Sequence, residues 1–247
     1  MAKRILFVFG TRPEAIKLAP IITELSQDKA FEVFVCVTSQ HKTLLQHVLT
    51  FFDIKVDYDL NIMSKNQTLF DITNKCLNKL KKIYTKLRPD MIIVQGDTSS
   101  AFSASLAAHY MQIPITHIES GLRTGHPYNP FPEEMNRRAT SIVTKYHFAP
   151  TEQARQNLLA EHVAVERIIV TGNTVIDALL SVVDKARTAP FKDEILEQLP
   201  FLAGNIIPRI VMVTGHRREN FGQGFDQICG ALNDLANMHP EVELIYP

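Results

Sequence analysis

The stretch RILFVFGTRPEAIKLAPIITELS, residues 4–26, decides the fold class of this chain. Residues 5–9 form an apolar run, which predicts that 4–9 is a buried strand of a parallel sheet covered by helices. Gly10 then allows a tight turn, and Pro13 suits the first turn of a helix. That predicted helix, 13–26, has an apolar face made of Leu18, Ile21, Ile22 and Leu25. The stretch is therefore a strand, a turn and a helix, the repeating unit of α/β proteins.

The same alternation continues as far as residue 170. Apolar runs predict further strands at 31–37, 91–95, 115–119, 146–149 and 168–170. Apolar periodicity predicts helices at 100–111, 133–143 and 151–161, and a long helix that ends near Pro89. Alternating strands and helices of these lengths favour a parallel sheet with helices on its faces. We expect one such domain over residues 1–172.

A second unit begins after the segment TGNT, residues 171–174. A helix is predicted at 175–185, followed by a segment with three prolines, a strand at 210–214, a helix at 225–238 and a strand at 243–246. A domain of this class usually needs about 100–150 residues. Residues 173–247 fall short of that, so we expect the second domain to be incomplete in this chain.

Composition sets limits on the function. The 247 residues include 26 basic and 26 acidic side chains, so nothing favours a nucleic-acid partner. Three scattered cysteines, Cys36, Cys76 and Cys229, favour neither a disulfide framework nor a metal site, and we expect them to be buried apolar residues. The first apolar run is too short for a signal peptide or a membrane span, which favours a cytoplasmic location.

Basic residues follow the first predicted strand. Arg12 and Lys17 stand near the start of a helix, where the helix dipole disfavours cations. An anionic ligand would remove this conflict, because helix N-termini and basic side chains together bind phosphate. The alternative is a solvated basic pair beside Glu14. The stretch matches neither a dinucleotide-binding nor a P-loop glycine pattern.

Three carboxylates follow other strands. Asp97 comes directly after the strand 91–95, and Glu119 ends the strand 115–119. Glu133 opens a helix after a loop that is rich in proline. Asp97 could instead be a helix N-cap, and Glu119 could simply pair with Arg123. If the three converge at the carboxyl edge of the sheet, they suit proton abstraction and return on a sugar carbon.

A further polar cluster lies in the second unit. His216, Arg217 and Arg218 follow the predicted strand 210–214. A lone histidine is most often structural. This one shares its turn with two arginines, so we include His216 and Arg217 among the candidate site residues.

Seven short strings, taken in order, resemble the non-hydrolysing UDP-N-acetylglucosamine 2-epimerases. They are FGTRPEAIK (9–17), DYDLNIM (57–63), GDT (96–98), ESGLRT (119–124), PEE (132–134), TGNTVIDAL (171–179) and GHRRE (215–219). The resemblance extends from residue 9 to the end of the chain. Gln95 departs from it, since relatives often have histidine there, and so does Phe131, where many have tryptophan.

The resemblance implies two facing Rossmann-like domains, as in GT-B glycosyltransferases, with the substrate between them. It implies reversible conversion of UDP-N-acetylglucosamine to UDP-N-acetylmannosamine through 2-acetamidoglucal, for surface polysaccharide synthesis, with no cofactor and no metal. A homodimer is expected for the full-length form. The residues that match catalytic positions are Asp97, Glu119, Glu133 and His216. Those that match substrate-binding positions are Arg12, Lys17, Arg123 and Arg217.

Two alternatives stay open. A hydrolysing relative would release UDP and free N-acetylmannosamine, although the loops around Arg123 and Glu133 resemble the non-hydrolysing type. The chain could also be a non-catalytic gene product, because its second domain is short. We expect residues 1–247 alone to lack epimerase activity.

Overall fold

The computed structural model describes residues 2–39, 42–64, 66–204, 208–214 and 223–246. Its strands are β1 Lys3–Phe9, β2 Phe31–Val37, β3 Tyr58–Asp59, β4 Met91–Gln95, β5 Ile115–Ile118, β6 Tyr146–Ala149, β7 Ile168–Val170, β8 Arg209–Met212 and β9 Val242–Ile245. Its α-helices are α1 Arg12–Gln27, α2 Lys42–Phe51, α3 Leu69–Leu87, α4 Ser99–Tyr110, α5 Glu133–Val143, α6 Glu152–Ala160, α7 Val175–Ala186, α8 Ala189–Gln198 and α9 Gln223–Met238.

Within the described residues, β1 to β7 form one parallel sheet in the order β3-β2-β1-β4-β5-β6-β7. The strand order reverses between β1 and β4, which pair directly from Ile5 with Met91 to Phe7 with Ile93. Loops that follow β1 and β4 therefore leave the same edge of the sheet side by side. In open parallel sheets this reversal point is where ligands bind.

Helices cover the strands near the reversal point on both faces, which explains why β1 is apolar and buried from Ile5 to Phe9. Leu6 and Val8 are buried against α3 and α4. Ile5, Phe7 and Phe9, which alternate with them along β1, are buried against α1 and α2 on the other face. A strand with no exposed face holds its C-terminal loop rigidly, because both side-chain rows are fixed by packing.

The chain divides into two compact units, unit 1 at Met1–Ser181 and unit 2 at Val182–Pro247. In unit 2, β8 and β9 pair in parallel, from Arg209 with Val242 to Met212 with Ile245. The domain boundary predicted at residue 172 falls before α7, whose first residues belong to unit 1. The division into domains at residues 1–172 and 173–247 stays a prediction.

Some local expectations need correction. The cap of α4 is Thr98, whose hydroxyl accepts a hydrogen bond from the Ala101 N–H, so Asp97 is not the N-cap. Cys36 and Cys76 are buried, but Cys229 is exposed on α9, so the expectation of burial is wrong for that cysteine. No helix in the described ranges is both long and apolar enough to cross a membrane.

Candidate active site

The carboxyl ends of β1, β4 and β5 surround a cavity of about 190 Å³. It lies at the reversal point of the sheet, where the chain geometry predicts a ligand. The charged and amide groups of its wall include Lys17, Gln95, Asp97, Glu119 and Arg137. Two of the three predicted catalytic carboxylates of unit 1 therefore face one cavity, each on a different loop.

Glu119 follows β5 with a left-handed backbone, φ 62°. Such a conformation is strained for residues other than glycine and often marks a functional position. One carboxylate oxygen, Oε2, accepts hydrogen bonds from Lys17 Nζ and Gln95 Nε2. The other, Oε1, accepts from Asn173 Nδ2 at 3.2 Å. The side chain is only 13% exposed, so these donors replace the water that a carboxylate would otherwise hold.

Asp97 is held differently. Its Oδ2 lies 2.6 Å from Nη2 of Arg137, on α5. Its backbone carbonyl accepts a hydrogen bond from Asn136 Nδ2 at 2.9 Å, which ties the loop to the same helix. Burial raises the pKa of Asp97; Arg137 opposes that shift, and the charges of Glu133 and Glu119 add to it. Asp97 is thus a cavity carboxyl whose pKa lies above its ordinary value.

A third carboxylate, Glu14, also lines the cavity, but its hydrogen bonds hold the backbone of the site loops in place. Its Oε2 accepts from the N–H groups of Gly10 and Thr11, at 2.9 and 2.8 Å. Its Oε1 accepts from Thr98 Oγ1 at 2.7 Å, which joins the loop after β1 to the loop after β4. Burial raises the pKa of Glu14, and the hydrogen bonds oppose the shift. Glu14 is therefore the N3 residue of the capping box of α1, and it also joins the two site loops.

Two buried histidines support the loops after β4 and β5. His117 Nε2–H donates to the Gly96 carbonyl at 2.7 Å, next to Asp97. His147 Nδ1 lies 2.9 Å from Ser120 Oγ, next to Glu119. Burial lowers the pKa of His117 to about 3 and that of His147 to about 4, so both rings are neutral near pH 7.

The other predicted site residues occupy several places. Arg12 is exposed at the first residue of α1, and Glu133, partly exposed, begins α5 close enough to Asp97 to raise its pKa. Arg123 binds Glu161 through Nε at 2.9 Å and Nη2 at 2.6 Å, so it is not the partner of Glu119. His216 and Arg217 lie outside the described residues.

The sequence did not single out three residues of the site. Arg137 stands four positions after Glu133, one turn along the same helix, and that spacing could have drawn attention to it. Gln95 was noted only as a departure from the family pattern. Asn173 was noted only as part of the string TGNTVIDAL, and no local pattern shows its contact with Glu119, which lies 54 positions away in the sequence.

A larger cavity, of about 770 Å³, lies elsewhere on the sheet. Ile93, Ile118, Phe148 and Ile169 contribute to its mainly apolar wall, and none of the predicted site residues lines it. Across the described ranges, no group of three or more His, Cys, Asp or Glu side chains is arranged to hold a metal ion.

Comparison with known proteins decides the family. The family model described as UDP-N-acetylglucosamine 2-epimerase matches residues 23–247. The chain belongs to this family. The UDP-N-acetylglucosamine 2-epimerase of Salmonella typhimurium (strain LT2) is 52% identical over 245 residues, 99% of this chain and 65% of that protein. The resemblance of the seven strings to the UDP-N-acetylglucosamine 2-epimerases is confirmed.

Solved 2-epimerase structures share the fold. The UDP-GlcNAc 2-epimerase of Neisseria meningitidis, bound to UDP-GlcNAc, matches with a TM-score of 0.92 and 45% identity over 99% of this chain and 65% of that one. The Methanocaldococcus jannaschii enzyme, in complex with UDP-GlcNAc and UDP, matches with a TM-score of 0.82 and 30% identity over 99% of this chain and 66% of that one. These GT-B-like relatives confirm the predicted fold class. The chain spans 65% of the length of the curated epimerases it matches, just under two thirds.

Proposed function

We propose that the full-length enzyme, meaning a polypeptide that extends this sequence over the length of its relatives, inverts C2 of UDP-N-acetylglucosamine to give UDP-N-acetylmannosamine. The observation that carries the proposal is the pair of carboxylates at one cavity, each beside a cation: Asp97 with Arg137, and Glu119 with Lys17. The substrate is supported by two similar structures, whose names give UDP-GlcNAc as the bound ligand.

The chemistry at C2 requires a leaving group, because no carbonyl acidifies the C2 proton. In the proposed route, the C2–H bond and the bond from C1 to the UDP oxygen break, and a C1–C2 double bond forms. The products are 2-acetamidoglucal and UDP. Delivery of a proton to the other face of C2, with return of UDP to C1, completes the inversion. Proton and UDP both return, so the net reaction needs no redox cofactor.

The surroundings of the two carboxylates suggest different roles for them. Glu119 is contacted by an ammonium and two amide N–H donors, which hold its carboxylate at the wall of the cavity. A carboxylate held in place beside the substrate suits a base that takes a proton from C2. Asp97 has a raised pKa, which suits a group that carries a proton to C2. Glu133 contributes its charge, because it raises the pKa of Asp97. We propose that the two carboxylates serve opposite faces of C2.

Departure of an anionic diphosphate needs positive charge as much as it needs a base. Arg12 supplies it at the N-terminal end of α1, where the helix dipole also favours an anion. The family resemblance adds His216 and Arg217 near the phosphates. Arg123 donates its hydrogen bonds to Glu161 and Ser141, so we assign it to the support of the loop after β5 and not to contact with the phosphates.

Other features of the proposal rest on the family resemblance and the balanced charge. We place the full-length enzyme in the cytoplasm as a homodimer, supplying UDP-N-acetylmannosamine for surface polysaccharide, without a metal, a membrane or a nucleic acid as partner.

Product analysis tests the reaction. Full-length enzyme incubated with UDP-N-acetylglucosamine should reach a mixture of the two UDP-sugars. Accumulation of UDP with free N-acetylmannosamine would show the hydrolysing reaction instead. If no product of either reaction formed, the result would favour a non-catalytic protein. Residues 1–247 alone should show no turnover, since the relatives are longer by about a third of their length. Robust turnover by this chain would overturn that last expectation.

A further inference from the structure

Asn173 uses both ends of its side-chain amide. It lies in the segment between β7 and α7. Nδ2 donates to Glu119 Oε1 at 3.2 Å, and Oδ1 accepts from the N–H of Val175, the first residue of α7, at 3.0 Å. A carboxylate only accepts and a backbone N–H only donates, so these two partners fix which way the amide points.

The contact completes the support of Glu119. Lys17 and Gln95 both donate to Oε2 of Glu119. With donors on this oxygen alone, the carboxylate group could still rotate and move its other oxygen, Oε1. Within the described residues, Asn173 is the donor recorded at Oε1. A donor on the second oxygen fixes the plane, and with it the direction in which the carboxylate presents its lone pairs.

The next residue strengthens the same arrangement. Thr174 Oγ1 donates to the backbone carbonyl of Lys17 at 2.6 Å. Adjacent residues of one short segment therefore hold both members of the Lys17–Glu119 ion pair, Asn173 through the carboxylate and Thr174 through the lysine backbone. The segment leads directly into α7, so the same turn sets the position of the helix and the orientation of the Glu119 carboxylate.

We propose that Asn173 is a positioning residue for Glu119, fixing its carboxylate for the chemistry at C2. The proposal rests on the proposed function, in which Glu119 acts on that carbon. Asparagine suits the position because aspartate could accept from Val175 N–H but would place a second negative charge against Glu119. Asn173→Asp therefore keeps the helix contact and removes the carboxylate contact, which separates a structural role from a positioning role.

A spectroscopic experiment on residues 1–247 tests the contact without any turnover. The chain is labelled with ¹⁵N, and the side-chain amide signals of asparagine are compared between wild type and Glu119→Gln at pH 7. The Asn173 Nδ2 signal should shift, because its acceptor changes from an anion to a neutral amide. Asn78 is the control, since it donates to Asn74 instead, and its signal should not move. An Asn173 signal that stays in place would overturn the proposal.

A kinetic experiment on the full-length enzyme tests the positioning role. Asn173→Asp should lower kcat about tenfold or more while KM changes less than about twofold, since a misaimed group costs the chemical step more than binding. The thermal unfolding midpoint of this variant should match that of wild type.

Two more variants complete that experiment. Asn173→Ser has a hydroxyl that can still accept from the Val175 N–H but is too short to reach Glu119, so it should show the same kcat loss and replaces Asn173→Asp if that variant folds poorly. Asn78→Asp makes the same charge change on α3 and should leave kcat unchanged. Wild-type kcat in both Asn173 variants would refute the positioning role. If wild-type enzyme proves unable to epimerise, the function fails, and the NMR comparison still decides the contact.

Discussion

Acid should destabilise unit 1 through its buried histidines, and His117 allows the effect to be worked out. Burial lowers the pKa of His117 from 6.5 to about 3, and its hydrogen bond to the Gly96 carbonyl opposes part of that shift. The folded ring therefore stays neutral at pH 5, whereas in the unfolded chain it binds a proton near pH 6.5. Because the unfolded state binds more protons, the free energy of unfolding falls as the pH drops below 6.5.

The magnitude follows from the linkage relation. One such group loses about 1.4 kcal/mol of stability for each pH unit below its unfolded pKa, so between pH 7 and pH 5 His117 accounts for a loss of about 2 kcal/mol. His147, whose pKa burial lowers to about 4 with help from Arg123 and Arg167, should add a loss of similar size. Together they would remove a large share of the stability of an ordinary domain.

Urea unfolding followed by tyrosine fluorescence measures the effect, since five of the six tyrosines lie in unit 1. The comparison is wild type against His117→Gln at pH 7 and pH 5, because glutamine does not titrate but can still donate to Gly96. Wild type should lose about 2 kcal/mol more than the variant. Other titrating groups, such as Glu14, cancel in the difference. His126→Gln, in an exposed loop, is the control and should behave as wild type. Equal losses in wild type and His117→Gln would refute the reasoning.

Gly10→Ala should lower the free energy of unfolding by about 1–3 kcal/mol, because the new Cβ would lie 2.1 Å from Thr38 Oγ1. In the same urea assay Gly230→Ala, where a Cβ has nothing within 4 Å among the described residues, should cause no loss. Arg137→Met should raise the pKa of Asp97 further, since it removes the cation that lowers it. A ¹³C titration of the Asp97 carboxyl would contradict this if its midpoint were unchanged.

The sequence predicted the sheet well because its central strands are apolar on both faces. The strands now labelled β1, β2, β4, β6 and β7 fall where apolar runs placed them. It missed α2 and β3, which lie between residues 38 and 68, and β3 is only two residues long. It also missed α8, which begins in the segment with three prolines, where Pro190 occupies the first turn of the helix.

The sequence predicted which residues lie at the site, but not which side chains contact each other. Asp97 and Glu119 were found because each follows a buried strand, and parallel strands end at one edge. Their partners come from elements remote in sequence: Lys17 and Glu119 are 102 positions apart, and Arg123 and Glu161 are 38 apart. Such distances are set by the crossover of the chain, so no local pattern could show that Arg123 belongs to Glu161.

In the proposed reaction Glu119 takes the proton from C2, and hydrogen exchange in deuterated water tests this role. Full-length enzyme is incubated with UDP-N-acetylglucosamine in D₂O, and deuterium at C2 is followed by NMR and mass spectrometry. Wild type should replace the C2 proton, Glu119→Gln should not, and Glu152→Gln, on the exposed start of α6, should match wild type. Undiminished exchange in Glu119→Gln would contradict the claim and remove Glu119 from the mechanism.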